Sequence, residues 1–450
     1  MMLSRKSWLA LAAALGLICL IATPARSATV LVVCAVGCYF LVRSRSQSRP
    51  LPMASPFLAE VQYAVGVLTN TEKLFDLLRV LNLSVASKDK HGRVVRIFPL
   101  VSSVVPTVFG ASVELDAVDG QEVADYRKAA SRLATALMVP SVVVSESSPG
   151  FFQLDLRVFD PLGSPLVRES VTPVSEWALQ LGSDESGNSK SLPISNVSGV
   201  VVGGLPGSGK TAWLTQTLAA FAACDAVQMI VIDGKGGMDL HALKSRCCQF
   251  VDDDMDLDAV IAALNDVKEL VRERSQNLHS LLGTSNFWNH GPTPEVPVVF
   301  VLIEECQTFL DPRQLIGKEL KTKGAEIHSL VNFLVRKGRS AGVVTILSTQ
   351  KPTADSLPTD IRDNSSVRIC FGVQSRYAAE AVLGDEWSSD SAASPLGAPV
   401  GIGVASVEGT FVRFRAPYVR EAAVSEWVGR YAGLRGDPAQ LLHNRLAQSS

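Results

Sequence analysis

The sequence predicts an α/β protein: a parallel-sheet core around a glycine-rich turn, preceded by a small α/β domain and an N-terminal transmembrane hairpin. Three observations carry this. Residues 197–202, 227–232, 297–303 and 343–347 are short apolar runs without polar alternation, as expected of strands buried on both faces. The first of them leads into Gly204-Leu205-Pro206-Gly207-Ser208-Gly209-Lys210-Thr211 and then an apolar helical stretch, 212–223. Residues 7–42 contain one charge, Arg26.

Composition narrows the class. Of 450 residues, 47% are hydrophobic and 19% charged, which excludes a disordered chain and allows a large core. The net charge of −2 excludes a chain that is basic throughout. It leaves room for a local basic surface, because an electrostatic footprint depends on distribution. The eight cysteines form no CxxC pair and have no histidine at zinc spacing, so neither a disulfide framework nor a zinc site is expected.

The elements follow in order. One membrane crossing takes about 20 residues, so 7–42 suits two short ones, 8–23 and 28–42, turning at residues 24–27. Arg5 and Lys6 precede this hairpin and Arg43, Arg45 and Arg49 follow it, which places both outer ends in the cytoplasm. The competing reading is a cleaved signal peptide ending near Ala25. The hairpin (1–43) gives a cell-membrane location with two helices and a cytoplasmic core. Residues 44–56 read as a linker and 57–182 as the small α/β domain. That domain should comprise a helix over 57–84, strands at 94–99, 107–115, 141–144 and 151–158, and a helix over 120–138. The Ser, Gly and Asn content of 183–195 marks a boundary. The core domain spans 196–417, and 418–450 supplies one helical stretch, 419–431, and a polar tail.

Gly204 to Thr211 fits G-x-x-x-x-G-K-[ST] in a strand–loop–helix setting. Glycines let the backbone turn tightly, so that successive N–H groups and the helix N-terminus face phosphates. The motif therefore assigns residues 204–211 to ATP, with Lys210 on the β- and γ-phosphates and the Thr211 hydroxyl on Mg²⁺. The strand 297–303 ends in Glu304-Glu305. The first acid is expected to hold Mg²⁺ and the second to orient or deprotonate the attacking water. Glu304 stands where Asp is usual, which leaves open a catalytically weakened site. The strand 343–347 ends in Ser348-Thr349-Gln350, and an amide at that tip can sense the γ-phosphate.

Further blocks are Asp233-Gly234-Lys235-Gly236-Gly237, Arg336-Lys337-Gly338-Arg339-Ser340-Ala341-Gly342, Thr349-Gln350-Lys351-Pro352, and Asp360-Ile361-Arg362-Asp363-Asn364 followed by Val367-Arg368-Ile369. With the phosphate loop and the acidic strand end, these six blocks resemble, in order, the FtsK/SpoIIIE family of double-stranded DNA translocases. The resemblance covers residues 59–417, and Glu304-Glu305-Cys306-Gln307 looks closest to its actinobacterial plasmid-transfer, Tra-type branch. It implies a RecA-like P-loop NTPase core, a homo-hexameric ring with DNA in the channel, and ATP hydrolysis coupled to DNA movement. It also implies catalytic or sensing roles for Lys210, Glu304, Glu305 and Gln350, and a trans arginine finger for which Arg336, Arg339 and Arg368 are candidates.

DNA contact is also legible from charge. Between Asp311 and Lys351 there are eight basic residues against three acidic ones. Within that stretch Lys318, Lys321 and Lys323, in residues 317–324, form a candidate phosphate-tracking loop; the competing reading is a solvated face. Without interleaved aromatics for base stacking, motion should be largely sequence-independent.

The overall expectation is a membrane-anchored, ATP-driven DNA translocase in plasmid or mobile-element transfer. The alternatives are a chromosome-segregation pump, a type VII-like secretion ATPase and a catalytically weak membrane tether. Conjugative coupling proteins are disfavoured because the interval between phosphate loop and acidic strand lacks a sizeable helical insert. The residues after 417 leave no room for a winged helix, so sequence-directed loading would need a separate DNA-specificity protein.

Overall fold

In the computed structural model, residues 56–450 are described apart from 89, 90, 92, 238, 389–392, 408, 409 and 450. The proposed membrane hairpin, residues 8–42, and the linker up to 55 lie outside the described residues. Among the described residues, no helix is long and apolar enough to cross a membrane.

The first part folds from α1 (Pro56–Leu68), α2 (Thr71–Val80), β1 (Val85–Lys88), β2 (Val94–Ile97), β3 (Leu100–Thr107), β4 (Gly110–Asp116), α3 (Val123–Ala136), β5 (Ser141–Ser148) and β6 (Phe151–Arg157). A four-stranded antiparallel sheet, in order β3-β4-β6-β5, packs against the helices through Val61, Leu74, Leu78, Leu133, Leu154 and Leu156. The single helix expected over 57–84 is two helices. Asn70 interrupts it by capping α2, its side chain accepting from the Lys73 N–H. The strand expected over 107–115 is instead the turn and second strand of the β3–β4 hairpin.

Next come β7 (Leu166–Arg168), β8 (Ala178–Asp184), β9 (Ser189–Pro193), β10 (Gly199–Gly203), α4 (Lys210–Ala219), β11 (Val227–Asp233), β12 (Gln249–Val251), α5 (Leu257–Leu282), α6 (Phe287–His290), β13 (Val298–Glu304), α7 (Gln307–Leu310), α8 (Lys318–Ala341), β14 (Val343–Thr349), α9 (Thr359–Asp363), β15 (Val367–Phe371), α10 (Arg376–Leu383), β16 (Ile402–Val407), β17 (Thr410–Arg415), β18 (Pro417–Val419), α11 (Glu421–Gly429) and α12 (Pro438–Ser449). Ten strands form one mixed sheet in the order β12-β11-β13-β14-β10-β15-β16-β17-β8-β9. The six from β12 to β15 are parallel, and the last four run antiparallel to their neighbours.

The unbroken apolar runs follow from burial on both faces. On β13, Val298, Phe300 and Leu302 enter one core with Trp213 and Leu218 of α4, while Val299, Val301 and Ile303 enter another with Leu264 of α5 and Leu334 of α8. Side chains alternate across the sheet, so each run needs an apolar residue at every position.

Three sequence expectations change. The stretch 183–195, read as a boundary, holds β9 and a tight turn in which Asp184 Oδ1 accepts from the Ser186 and Asn188 N–H groups; polar composition here belongs to a hairpin turn. Residues 317–324, read as a loop, are the start of α8 from Lys318 onward. Gly324 does not end that helix; a β-carbon there would lie 2.1 Å from the Leu315 side chain, so glycine permits close packing. The polar tail is helical, as α12, with Leu442 buried against the core. The expected helix over 419–431 is α11, and Trp427 docks it on α4 by donating Nε1–H to the Ala219 carbonyl at 3.0 Å.

Candidate functional site

The site lies at the carboxyl ends of β10, β13 and β14, where an open parallel sheet with a switch in strand order leaves a crevice. β10 ends at Gly203, beside Thr349 at the end of β14. The chain then turns through Gly204–Gly209, and α4 begins at Lys210. Gly207 and Gly209 have φ of 76° and 95°, a region that favours glycine. The loop is moored at both sides: the Gly204 N–H donates to Thr349 O at 3.2 Å and the Leu205 N–H to Gly372 O at 3.0 Å. Pro206 and Gly207 are exposed, whereas Ser208 is buried with its Oγ unpartnered.

Lys210 is 2% exposed. Its Nζ donates to Glu304 Oε1 at 2.7 Å and to Ser348 Oγ at 2.6 Å. The Thr211 hydroxyl donates to the same Glu304 Oε1 at 3.0 Å. The longer side chain in place of Asp thus spans the crevice from β13 to the first turn of α4. A buried ammonium is tolerated only when its charge and donors are met, and Glu304 with Ser348 meets them.

Glu305 follows in a left-handed backbone conformation, φ 49°. Such a conformation in a non-glycine residue is held only where its surroundings enforce it. Here the Gly234 N–H donates to Glu304 O, the Thr308 N–H to Glu305 O, and the Cys306 N–H to Ser348 O. Glu305 Oε2 accepts from Gln307 Nε2 and, at 3.1 Å, from the Gln350 N–H. Gln307 Oε1 in turn accepts from Thr349 Oγ1 at 2.7 Å.

Among the described residues, three buried carboxylate oxygens have no hydrogen-bond partner: Glu304 Oε2, Glu305 Oε1 and Asp233 Oδ2. Asp233 stands opposite Glu304 in the β11–β13 register. Burial first, and the Glu304 charge after it, raise its carboxyl above the usual range. Lys210 thus faces two buried acids, Glu304 at 2.7 Å and Glu305 at 3.9 Å, with Asp233 opposite Glu304. These carboxylates, their oxygens without hydrogen bonds and the Thr211 hydroxyl alongside fit a divalent cation. Mg²⁺ keeps several waters and uses substrate phosphates as ligands, so a carboxylate and a hydroxyl such as those of Glu304 and Thr211 fit it.

The structure thus gathers Lys210, Thr211, Glu304, Glu305 and the Gln350 backbone around one loop. Arg336 and Arg339 lie exposed on α8. Arg368 is half-buried and donates to the carbonyls of Ser365, at 3.2 Å, and Leu383, at 3.1 Å. Lys318 and Lys321 are exposed at the start of α8, while Lys323 is bound to Asp258 at 2.8 Å and Glu319 at 3.2 Å. Sequence reasoning missed Ser348 and Gln307. Their signal was polarity directly after an apolar strand, which says that something is bonded there but not what.

Comparison with known proteins adds two matches to family models. Residues 66–158 match the actinomycete conjugal transfer protein N-terminal domain, and residues 168–359 match the FtsK/SpoIIIE family. Residues 168–359 therefore carry a likeness to the FtsK/SpoIIIE family. It is 26% identical over 312 residues to DNA translocase FtsK 2 of Ralstonia nicotianae, covering 60% of this chain and 38% of that one. It is 25% identical over 368 residues to DNA translocase FtsK of Vibrio vulnificus, covering 71% and 34%. The chain therefore spans about a third of the length of these relatives. The fold is shared with the pCW3 conjugation coupling protein TcpA, solved as a monomer with ATPγS: TM-score 0.52, 18% identity, 83% of this chain and 98% of that one. The absent helical insert, which counted against coupling proteins in the sequence, does not prevent that likeness in fold.

Proposed function

We propose that this chain is an ATP-driven translocase of double-stranded DNA that acts in plasmid or mobile-element transfer. The observation that carries this is the cradle of Lys210, Thr211 and Glu304 inside an FtsK/SpoIIIE domain that follows a conjugal-transfer N-terminal domain.

On nucleotide binding, Lys210 exchanges Glu304 and Ser348 for the β- and γ-phosphate oxygens, and residues 204–209 with the α4 N-terminus wrap the phosphates. Thr211 and Glu304 would hold a Mg²⁺, which would supply charge neutralisation at the phosphates. Glu305, fixed by Gln307 and the Gln350 N–H, orients and deprotonates the attacking water at Oε1, which has no hydrogen-bond partner among the described residues and lies 3.9 Å from Lys210 Nζ. The charge that develops on the γ-phosphate needs a further cation, and exposed Arg336 and Arg339 are better placed to reach a neighbouring subunit than Arg368, which is engaged with carbonyls. The working assembly in this reading is a homo-hexamer anchored to the cell membrane by residues 8–42, with DNA met by Lys318 and Lys321. Choice of a loading site belongs to a separate protein.

The test is ATP hydrolysis by the full chain with and without duplex DNA, repeated for Lys210→Ala. DNA stimulation that vanishes in the variant supports the reading. Hydrolysis that ignores DNA but responds to a secreted polypeptide would move the chain to the secretion class.

A further inference from the structure

β17 carries two arginines, Arg413 and Arg415, on the same face of the strand. Both reach the segment that joins the small domain to the motor. Arg413 does so through carboxylates, donating to Asp160 Oδ2 at 2.7 Å and to Glu185 Oε1 at 2.6 Å. Glu185 also pairs with Arg157, at the end of β6, at 2.9 Å. Arg415 is different. It is 5% exposed and is satisfied by backbone carbonyls alone. Nε donates to Leu162 O at 2.6 Å, Nη2 to Leu162 O and Gly163 O, and Nη1 to Val400 O.

The two turns that Arg415 joins are far apart in sequence, and one of them backs the phosphate loop. The Gly401 N–H donates to Ser208 O at 2.8 Å, and the Ala416 N–H donates to Gly401 O at 2.8 Å. A β-carbon on Gly209 would lie 2.9 Å from the Gly401 nitrogen, so the turn and the loop are packed without slack. A β-carbon on Gly401 would lie 3.1 Å from Arg415 Nη1. A continuous set of contacts therefore runs from Leu162 and Gly163 through the Arg415 guanidinium to Val400 and Gly401, and on to Ser208 and Gly209.

We infer that Arg415 is a positioning residue for the nucleotide: it holds the 400–401 turn against the phosphate loop and ties that loop to the segment between the two domains. A planar guanidinium presents its donors in a rigid fork, so it holds two carbonyl turns at set angles, where an ammonium's donors rotate freely. Nothing in the chain of contacts touches Glu305 or the Ser348 side of Lys210. Loss of Arg415 should then weaken nucleotide binding while leaving the chemical step alone, the signature of lost uniform binding.

This inference rests on the ATP reading above, and the experiment separates the two. ATPγS affinity, and KM and kcat for ATP hydrolysis, are measured on the full chain, on Arg415→Met, which keeps bulk without donors, and on Gly401→Ala, which crowds the same turn from the other side. Hydrogen exchange of residues 158–165 is followed with and without ATPγS. In both variants KM and the ATPγS Kd should rise roughly five- to tenfold, the lower part of the usual range of coupling between sites, with kcat within about twofold. ATPγS should slow exchange at 158–165 in the wild type and not in Arg415→Met. If the wild type binds no ATPγS, the ATP reading fails. If the wild type binds it and a folded Arg415→Met matches it in Kd, KM and exchange, the inference is overturned. A fall in kcat at unchanged KM would overturn it as well. If Arg415→Met does not fold, Gly401→Ala decides.

Discussion

Two regions of this molecule present the lysines that the proposed function assigns to phosphate, and they are built in opposite ways. Lys210 is buried, bonded to Glu304 and Ser348, and set at a fixed point by strand ends on both sides. Lys318 and Lys321 stand exposed on the first turns of α8, and no acid pairs with them among the described residues. Burial explains the difference. A charge withdrawn from water must be compensated in the fold, so the cradle can only be assembled from particular partners. An exposed lysine needs none and holds no geometry. The first region suits a ligand that must be placed to within an ångström; the second suits a backbone that must be gripped and released.

The largest effect expected from breaking this contrast is at Lys210. Lys210→Ala removes the cation that meets the phosphates and leaves Glu304 with Thr211 alone, so turnover should fall by roughly 10²–10³-fold. Steady-state hydrolysis checks it, with circular dichroism to confirm the fold. Retained turnover would mean that the cradle is not the hydrolytic site.

Comparable in size is the effect of Glu305→Gln. A general base contributes about 10²–10⁴-fold, so hydrolysis should collapse. Binding should persist, because Lys210, Thr211 and Glu304 are untouched, and the variant should retain ATP through gel filtration. If the variant hydrolyses ATP normally, the base is another group, and Glu304 becomes the first to examine.

These two residues also show how far sequence alone reaches. The strands of the ten-stranded sheet were legible because burial on both faces demands unbroken apolar runs, and the loop because phosphate wrapping demands glycines at fixed spacing. The helix behind the loop was legible at 212–223, where α4 runs over Lys210–Ala219. What was not legible was anything set by partners distant in sequence. The role of Ser348 depends on a lysine 138 residues away. Gln307 matters because β14 brings Thr349 and the Gln350 N–H beside Glu305. The basic segment 317–324 misled because flanking glycines suggest a loop, whereas its Lys, Glu and Leu residues favour a helix and Gly324 is needed for packing against Leu315. In the first domain, Asn70 and the β3–β4 turn divide stretches whose hydrophobic pattern runs on across the break.

On the exposed side of the comparison, Lys318→Ala with Lys321→Ala should leave DNA-independent hydrolysis unchanged and weaken duplex binding about equally for unrelated sequences. If both lysines meet phosphates, the slope of log affinity against log salt should flatten by roughly 0.9 for each. Binding titrations at several salt concentrations measure this. An unaltered slope would mean that this end of α8 faces away from the DNA.

Lys323 sharpens the comparison most finely because it lies on the same helix and belongs to neither class. Its ammonium sits between Asp258 at the start of α5 and Glu319 one turn earlier, and those two carboxylates hold its pKa above the usual lysine value, the Asp258 bond first. Its charge is already answered within the chain, so a phosphate would have to displace two acids to reach it. Lys323→Ala should therefore change the salt slope by much less than the 0.9 expected of a phosphate contact. Surface ion pairs contribute little, so its melting temperature should stay close to that of the wild type. If Lys323→Ala instead flattens the slope as much as Lys321→Ala does, then the Asp258 pair opens when DNA binds. The three lysines of residues 317–324 would then act together, and the pairing of α5 with α8 would itself be part of the grip.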